Sequence, residues 1–362
     1  MGWSLRIANI AGVAMRIHVT FFLLIAWVGF IGWQRAGTAG ALDGVAFVTL
    51  VFLCVTLHEF GHVFAARHYG VRTRDVTLYP IGGVARLERF PKKPIHEFVI
   101  AVAGPLVNVA IAIVLIVMTR TGIAPGALDV TSGEASLASR LIAVNIALVV
   151  FNLIPDFPLD GGRMLRALLA LRFERVRATG YAARTGQGFG ILFGLAGLFG
   201  NPFLALIGVF VFLAAGAEYK HERDSAAARG RVAADAMVTK FEALRPTARA
   251  EDVGRLLVET TQHEFPVIDE NGVCVGVVVR PRLIGVLQQF GPSVPVRTFM
   301  DTGFVRAGLR EPLDKVVEQL GTAILPFVIV EDPAGRLMGY ISIENAEELF
   351  AVATAGKARP KQ

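Results

Sequence analysis

The stretch "CVTLHEFGHVFAARHYG", residues 54–70, sets His58, Glu59 and His62 in the order H-E-x-x-H. It closes an apolar run, "ALDGVAFVTLVFLCVTL", residues 41–57. On a helix, positions i and i+4 share a face, so both imidazoles can be offered to one metal ion. Glu59, directly after His58, is then placed as general base for a water that the metal activates. Two histidines and a glutamate are costly inside a membrane, where polar groups usually mark function. Hydrolysis needs water and a bilayer excludes it, so the rest of the chain must explain how such a site could work.

Of the 362 residues, 54% are hydrophobic and only 18% charged, which is too apolar for an ordinary soluble enzyme. The apolar residues crowd into residues 18–217, in six segments near 18–34, 41–66, 97–119, 138–155, 186–200 and 202–218. Several are shorter than the roughly 20 residues of a perpendicular span, which is tolerable where protein surrounds them. "FGNPF" between the last two suits a tight hairpin. The opening "MGWSLRIANIAGVAMRI" lacks the pattern of a signal peptide and reads as an amphipathic strand or hairpin at the membrane face. The net charge of +6 lies largely in short loops. Residues 67–96 and 156–185 hold thirteen Lys and Arg, against Arg35, Arg120 and Arg140 in the alternate loops. That bias predicts both termini in the cytoplasm. The cysteines, Cys54 and Cys274, fall in different halves of the chain and argue for no disulfide.

A catalytic zinc needs three protein ligands and one open position. The third candidate is Asp160 in "FNLIPDFPLDGGRML" (151–165), where prolines break the helix and Gly161-Gly162 allow an unusual turn. Asp156 competes for the same role, and Asp160 could instead cap the following helix.

"HEFGH" and "NLIPDFPLDGG" together resemble the site-2 protease family of intramembrane zinc metalloproteases. "PIGGVARLE" (80–88) and "AGPLVN" (103–108) match it too, and the resemblance covers roughly residues 1–220. It implies one zinc ion held by His58, His62 and Asp160, with Glu59 as catalytic acid and base. It implies that Asn152 positions substrate or stabilises the oxyanion, an alternative being a bond to a neighbouring helix. Asn108 has the same two readings, the structural one favoured. Around Gly82, Gly83 and Val84 the resemblance implies an edge strand that pairs with unwound substrate, as against a hairpin that only connects segments. His18, His68, His96, His221 and His263 are read as non-ligands.

Residues 221–233 read as a charged, Ala-rich linker, helical or flexible. Beyond it the chain repeats. "FPVIDENGVCVGVV" (265–278) parallels "VIVEDPAGRLMGYI" (328–341) at an offset of 63, which also relates Met237 to Met300. Each unit reads as helix, strand, Asx/Gly turn, strand and closing helix. The pair resembles a cystathionine-beta-synthase (CBS) domain pair, with units at 234–292 and 293–353 and a tail at 354–362. That likeness implies an adenosine nucleotide, with Ser342 and Asn345 in the ribose-binding places of the second unit. Val279 and Arg282 occupy those places in the first. A dimerisation or substrate-docking module is the alternative.

The expected architecture is therefore a polytopic α-helical membrane domain of about six transmembrane segments, joined to a cytosolic α/β CBS pair. The resemblance implies cleavage of a membrane-anchored regulator, anti-sigma-factor-like or other, with lipid as surroundings, the CBS pair as regulator and homodimer contact, and no direct nucleic-acid partner. A transporter or metal sensor is the competing class, disfavoured because it needs no Glu in H-E-x-x-H together with a distant L-D-G-G. A scaffold that has lost activity is disfavoured by the presence of every expected ligand type.

Overall fold

The computed structural model describes residues 3–80, 82–87, 91, 93–120, 135–325 and 327–357. The chain divides into two compact units, 1–219 and 220–362.

In the first unit, α1 (Val19–His68) is continuous by hydrogen bonding but leaves helical geometry at Ala36 and Gly37. Gly37, at φ 61°, takes a conformation that disfavours any side chain. The chain reverses there. A Cβ on Gly32 would lie 2.3 Å from the Gly40 carbonyl oxygen, and Gly44 abuts Val28. Phe21 meets Phe52 edge to face at 4.6 Å. These pairs straddle residue 36 symmetrically, so the element is two antiparallel arms, matching the first two apolar segments. The second arm carries H-E-x-x-H near its end.

The remaining helices are α2 (Pro94–Thr119), α3 (Leu137–Leu153), α4 (Asp160–Leu169), α5 (Arg175–Phe199) and α6 (Pro202–Ala228). Among the described residues, α1, α2 and α6 are long and apolar enough to cross a membrane, and α3 is a shorter apolar helix. The fifth apolar segment is the last part of α5, whose first half is polar. The FGNPF turn joins α5 to α6 as a hairpin so close that a Cβ on Gly190 would lie 2.8 Å from the Gly208 carbonyl oxygen.

A four-stranded sheet runs in the order β1 (Ser4–Ile10), β2 (Val13–His18), β3 (Thr73–Tyr79), β4 (Gly82–Leu87). The N-terminal hairpin read from sequence is β1–β2, and β2 pairs parallel with β3. β4 is antiparallel to β3 and stands at the sheet's edge.

Four helices of this unit meet in a charged cluster. Arg166 on α4 is completely buried and bonds Glu97 of α2 and Glu218 of α6, each at 2.6 Å. Arg175 of α5 bonds the second Glu97 oxygen at 2.8 Å. Arg166 and Arg175 are thus not free loop cations, as the orientation argument takes them to be. Arg140 is likewise buried in the first turn of α3 and paired with Asp43 at 2.6 Å.

Residues 221–228, read as linker, continue α6, because alanine has the highest helix propensity and Ala227 and Ala228 join the core of the second unit. That unit contains α7 (Ala250–Glu259), β5 (Glu264–Ile268), β6 (Cys274–Val279), α8 (Arg280–Phe290), β7 (Val305–Gly308), α9 (Leu313–Thr322), β8 (Phe327–Glu331), β9 (Leu337–Ser342) and α10 (Ile343–Lys357). The last helix runs past residue 353 into the stretch read as tail. The repeat of 63 is a structural symmetry. Val238 exchanges backbone bonds with Tyr340, and Val277 does so with Asp301. The hairpin turns are equivalent too: Asp269 accepts from the Asn271 and Val273 amides, and Asp332 from those of Ala334 and Arg336.

Burial, and secondarily the Glu344 charge, pushes the Glu264 carboxyl up to about 6. The folded state therefore holds this proton longer than the unfolded chain. Stability present below pH 4.5 is lost as pH rises through 6, by about 1–2 kcal/mol. Glu264→Gln is expected to raise the melting temperature of the second unit at pH 7 and to change nothing at pH 4. Thermal unfolding at the two pH values checks this, and a variant no more stable at pH 7 than the parent would contradict it.

Candidate metal centre

The period of the second arm of α1 brings His58 and His62 together, both more than nine-tenths buried. Their Nε2 atoms are 3.1 Å apart. Asp160, first residue of α4, sets Oδ2 3.3 Å from His58 Nε2 and 3.2 Å from His62 Nε2. Tetrahedral zinc with bonds of about 2.0–2.1 Å requires its ligand atoms about 3.3–3.4 Å apart. The triangle fits that ion and leaves one face open. These three residues form the His, Cys, Asp and Glu cluster able to hold a metal among the described residues.

Asp156 does not join them. It is completely buried, and its carboxylate is turned against α5, with Oδ1 2.0 Å from where a Cβ of Gly186 would stand. The helix break at Pro155–Pro158 separates the two aspartates, and the α4 N-terminus carries only Asp160 to the histidines. His18 caps α1 through Thr20, and His68 and His96 contact Tyr69.

The ring orientation of both histidines is set from α2. His62 Nδ1 donates to the Ile100 carbonyl at 2.7 Å. His58 Nδ1 donates to Asn108 Oδ1. With Nδ1 protonated, each Nε2 keeps its lone pair for the metal. Gly104 lies between these two contacts. A Cβ there would stand 2.3 Å from His62 Nε2 and 2.7 Å from His58 Nε2. The "AGPLVN" stretch thus supplies a floor that only glycine leaves open.

Glu59 is half-buried beside the pair. β4 passes directly over it, since a Cβ on Gly83 would meet Glu59 Cγ at 2.6 Å. Gly82, at φ 140°, makes the turn into β4, and Val84 is exposed. Among the described residues β4 pairs with β3 alone, so its other edge is unoccupied by any strand. Asn152 is half-buried in the last turn of α3. Two features escaped the sequence reading. Asn145 on α3 is completely buried and bonds Asn108, and its only signal is an amide inside an apolar run. The Glu97–Arg166 cluster gave no signal, because its members are spread over four helices and each lies in a stretch of chain that holds other charges.

The peptidase family M50 profile matches residues 46–124 and 122–193, and the CBS domain profile matches 232–288. A zinc metalloprotease of Methanocaldococcus jannaschii is 31% identical over 345 residues, 94% of each chain. The chain belongs to peptidase family M50. Rip3 of Mycobacterium tuberculosis is 33% identical over 391 residues, 96% of each chain. A solved structure titled a site-2 protease from Methanocaldococcus jannaschii aligns at a TM-score of 0.45, with 34% identity, over 60% of this chain and 95% of that one. This M50 metallopeptidase thus pairs a membrane-type protease unit with CBS repeats.

In the M50 chain, Gly104→Ala is expected to abolish metal binding, because the new methyl occupies the space both Nε2 atoms need. Metal content of the purified protein checks this. Stoichiometric metal would show that α1 and α2 can part at no cost.

Proposed function

We propose that this chain is an intramembrane zinc endopeptidase that cuts a membrane-anchored regulatory protein within or near its transmembrane helix and releases a cytosolic fragment. The observation that carries the reading is the edge strand β4 lying on Glu59, beside the His58–His62–Asp160 triangle. A transmembrane helix hides its amides, so it must unwind before it can be cut. The free edge of β4 offers backbone partners to such an unwound segment, and Gly83 lets it run across Glu59 without a side chain intervening.

A bound zinc supplies Lewis-acid polarisation of the scissile carbonyl and acidifies the attacking water. Glu59 takes the proton from that water and hands it to the leaving amine nitrogen. Asn152 is assigned the amide that positions substrate or meets the developing oxyanion. The triangle and the groups that orient it come from α1, α2 and α4, so protein rather than lipid surrounds these polar side chains. Of the thirteen basic residues in 67–96 and 156–185, eleven remain once Arg166 and Arg175 are withdrawn into the ion cluster, and they favour a cytoplasmic face for both termini, the open side of the site and the CBS repeats.

Ser342 donates to Asn345 Oδ1 at 2.7 Å at the start of α10. The same pair caps α10, with Ser342 Oγ accepting from the Asn345 amide at 3.2 Å, and it is the CBS resemblance that assigns these positions to an adenosine nucleotide through which the CBS unit would regulate cleavage. Comparing membrane proteomes of cells carrying the parent chain and Glu59→Gln tests the function. Intact single-span regulators should accumulate with the variant, and identical proteomes would refute the proposal.

A further inference from the structure

We propose that Asn145 is a positioning residue of the metal site, setting through Asn108 which ring nitrogen of His58 carries the proton. The inference rests on the reading that His58, His62 and Asp160 hold zinc.

The two histidines are held differently. His62 Nδ1 faces a backbone carbonyl, which can only accept, so its proton has one place to be. His58 Nδ1 faces the side-chain amide of Asn108, which could present either its oxygen or its NH2 group. If NH2 faced the ring, Nδ1 would have to accept. The proton would then sit on Nε2 and block the metal.

A directed chain of bonds prevents this. Asn145 Nδ2 donates to the Leu141 carbonyl at 2.8 Å, an acceptor that cannot reverse. Its other contact is to Cys54 Sγ at 3.4 Å. With the NH2 so committed, Asn145 turns Oδ1 to Asn108 and accepts from Asn108 Nδ2 at 2.8 Å. Asn108 Oδ1 is thereby left for His58. Both asparagines are completely buried, so bulk solvent does not compete for their bonds. Reversing Asn108 would set two carbonyl oxygens against each other and leave both unsatisfied. The chain joins α3, α2 and α1, so the packing of α3 is felt at a metal ligand on α1.

The test measures zinc affinity of the full-length protein in detergent by chelator competition. Asn145→Leu keeps the volume but removes the restraint on Asn108, and zinc affinity is expected to fall 10–100-fold. Asn145→Asp should bind zinc as the parent does, because a carboxyl in either protonation state accepts from Asn108. Asn108→Asp combined with Asn145→Leu should restore affinity, since a carboxylate has no NH2 end to turn towards His58. Should Asn145→Leu fail to fold, Asn145→Ala carries the same expectation. A purely structural asparagine would lower the melting temperature of the apo variants and leave zinc affinity alone. Parent-like affinity in Asn145→Leu overturns the proposal, as does failure of the double variant to recover. His62→Ala, which removes a ligand, must lose zinc; if it binds normally, the metal-site reading itself fails.

Discussion

Glu59→Gln is expected to lower the cleavage rate by 10²–10⁴-fold or more, the range for loss of a positioned general acid and base. Glutamine occupies nearly the same volume beside Gly83 but cannot take a proton from water. None of the triangle's ligand atoms belongs to Glu59, so zinc content should stay at the parent level. Release of product from a fluorescent single-span substrate in proteoliposomes, measured beside metal content, separates the two effects. A variant that keeps zinc and loses cleavage supports Glu59 as the proton carrier. A variant that still cleaves at the parent rate would remove Glu59 from the mechanism and leave the H-E-x-x-H order unexplained. Loss of zinc along with activity would recast Glu59 as part of the metal-holding set.

The second large effect concerns stability. Glu97→Ala should destabilise the first unit by about 3–5 kcal/mol, because it removes the buried carboxylate that bridges Arg166 and Arg175 and leaves fully buried Arg166 with half of its ion pairing. Arg166 has no exposure at all and divides its bonds between Glu97 and Glu218. Arg175 shares Glu97 from the other side. Replacing Arg166 and Glu97 together, by Met and Leu, should cost less than Glu97→Ala alone, since the fully buried cation leaves with its partner and the remaining members, Arg175 and Glu218, are partly exposed. Thermal unfolding in detergent at several salt concentrations checks both. Equal stability of parent and Glu97→Ala would mean the cluster is dispensable. The cluster also bears on the site: Arg166 holds the helix whose first residue is Asp160, while Glu97 lies on the helix whose Ile100 and Asn108 orient the histidines.

Local periodicity and composition were enough for much of this protein. The 3.6-residue repeat alone puts His58 and His62 on one face, and apolar runs alone mark out α1, α2, α3, α6 and the end of α5, though not α4. The offset of 63 alone predicts two equivalent halves, and backbone exchange between Val238 and Tyr340, mirrored by Val277 and Asp301, realises it. These signals are legible because each arises from residues close in the chain or from exact repetition.

Tertiary structure decided the rest, because it depends on which distant residues meet. Asp156 and Asp160 are equivalent carboxylates in the same loop, and only the path of the chain into α4 turns one to the histidines and the other to α5. Nothing in "VARL" says that the strand lies on Glu59. The long separation between Gly83 and Glu59 is closed by β3 and its pairing with β2. Arg166 reads as one more basic loop residue until Glu97 and Glu218 are brought around it. Asn145 reads as a stray amide until its neighbours show a chain of bonds, each with a direction, ending at a metal ligand. A side chain's partners follow from packing across helices, and packing is where a one-dimensional pattern ceases to specify which atoms touch.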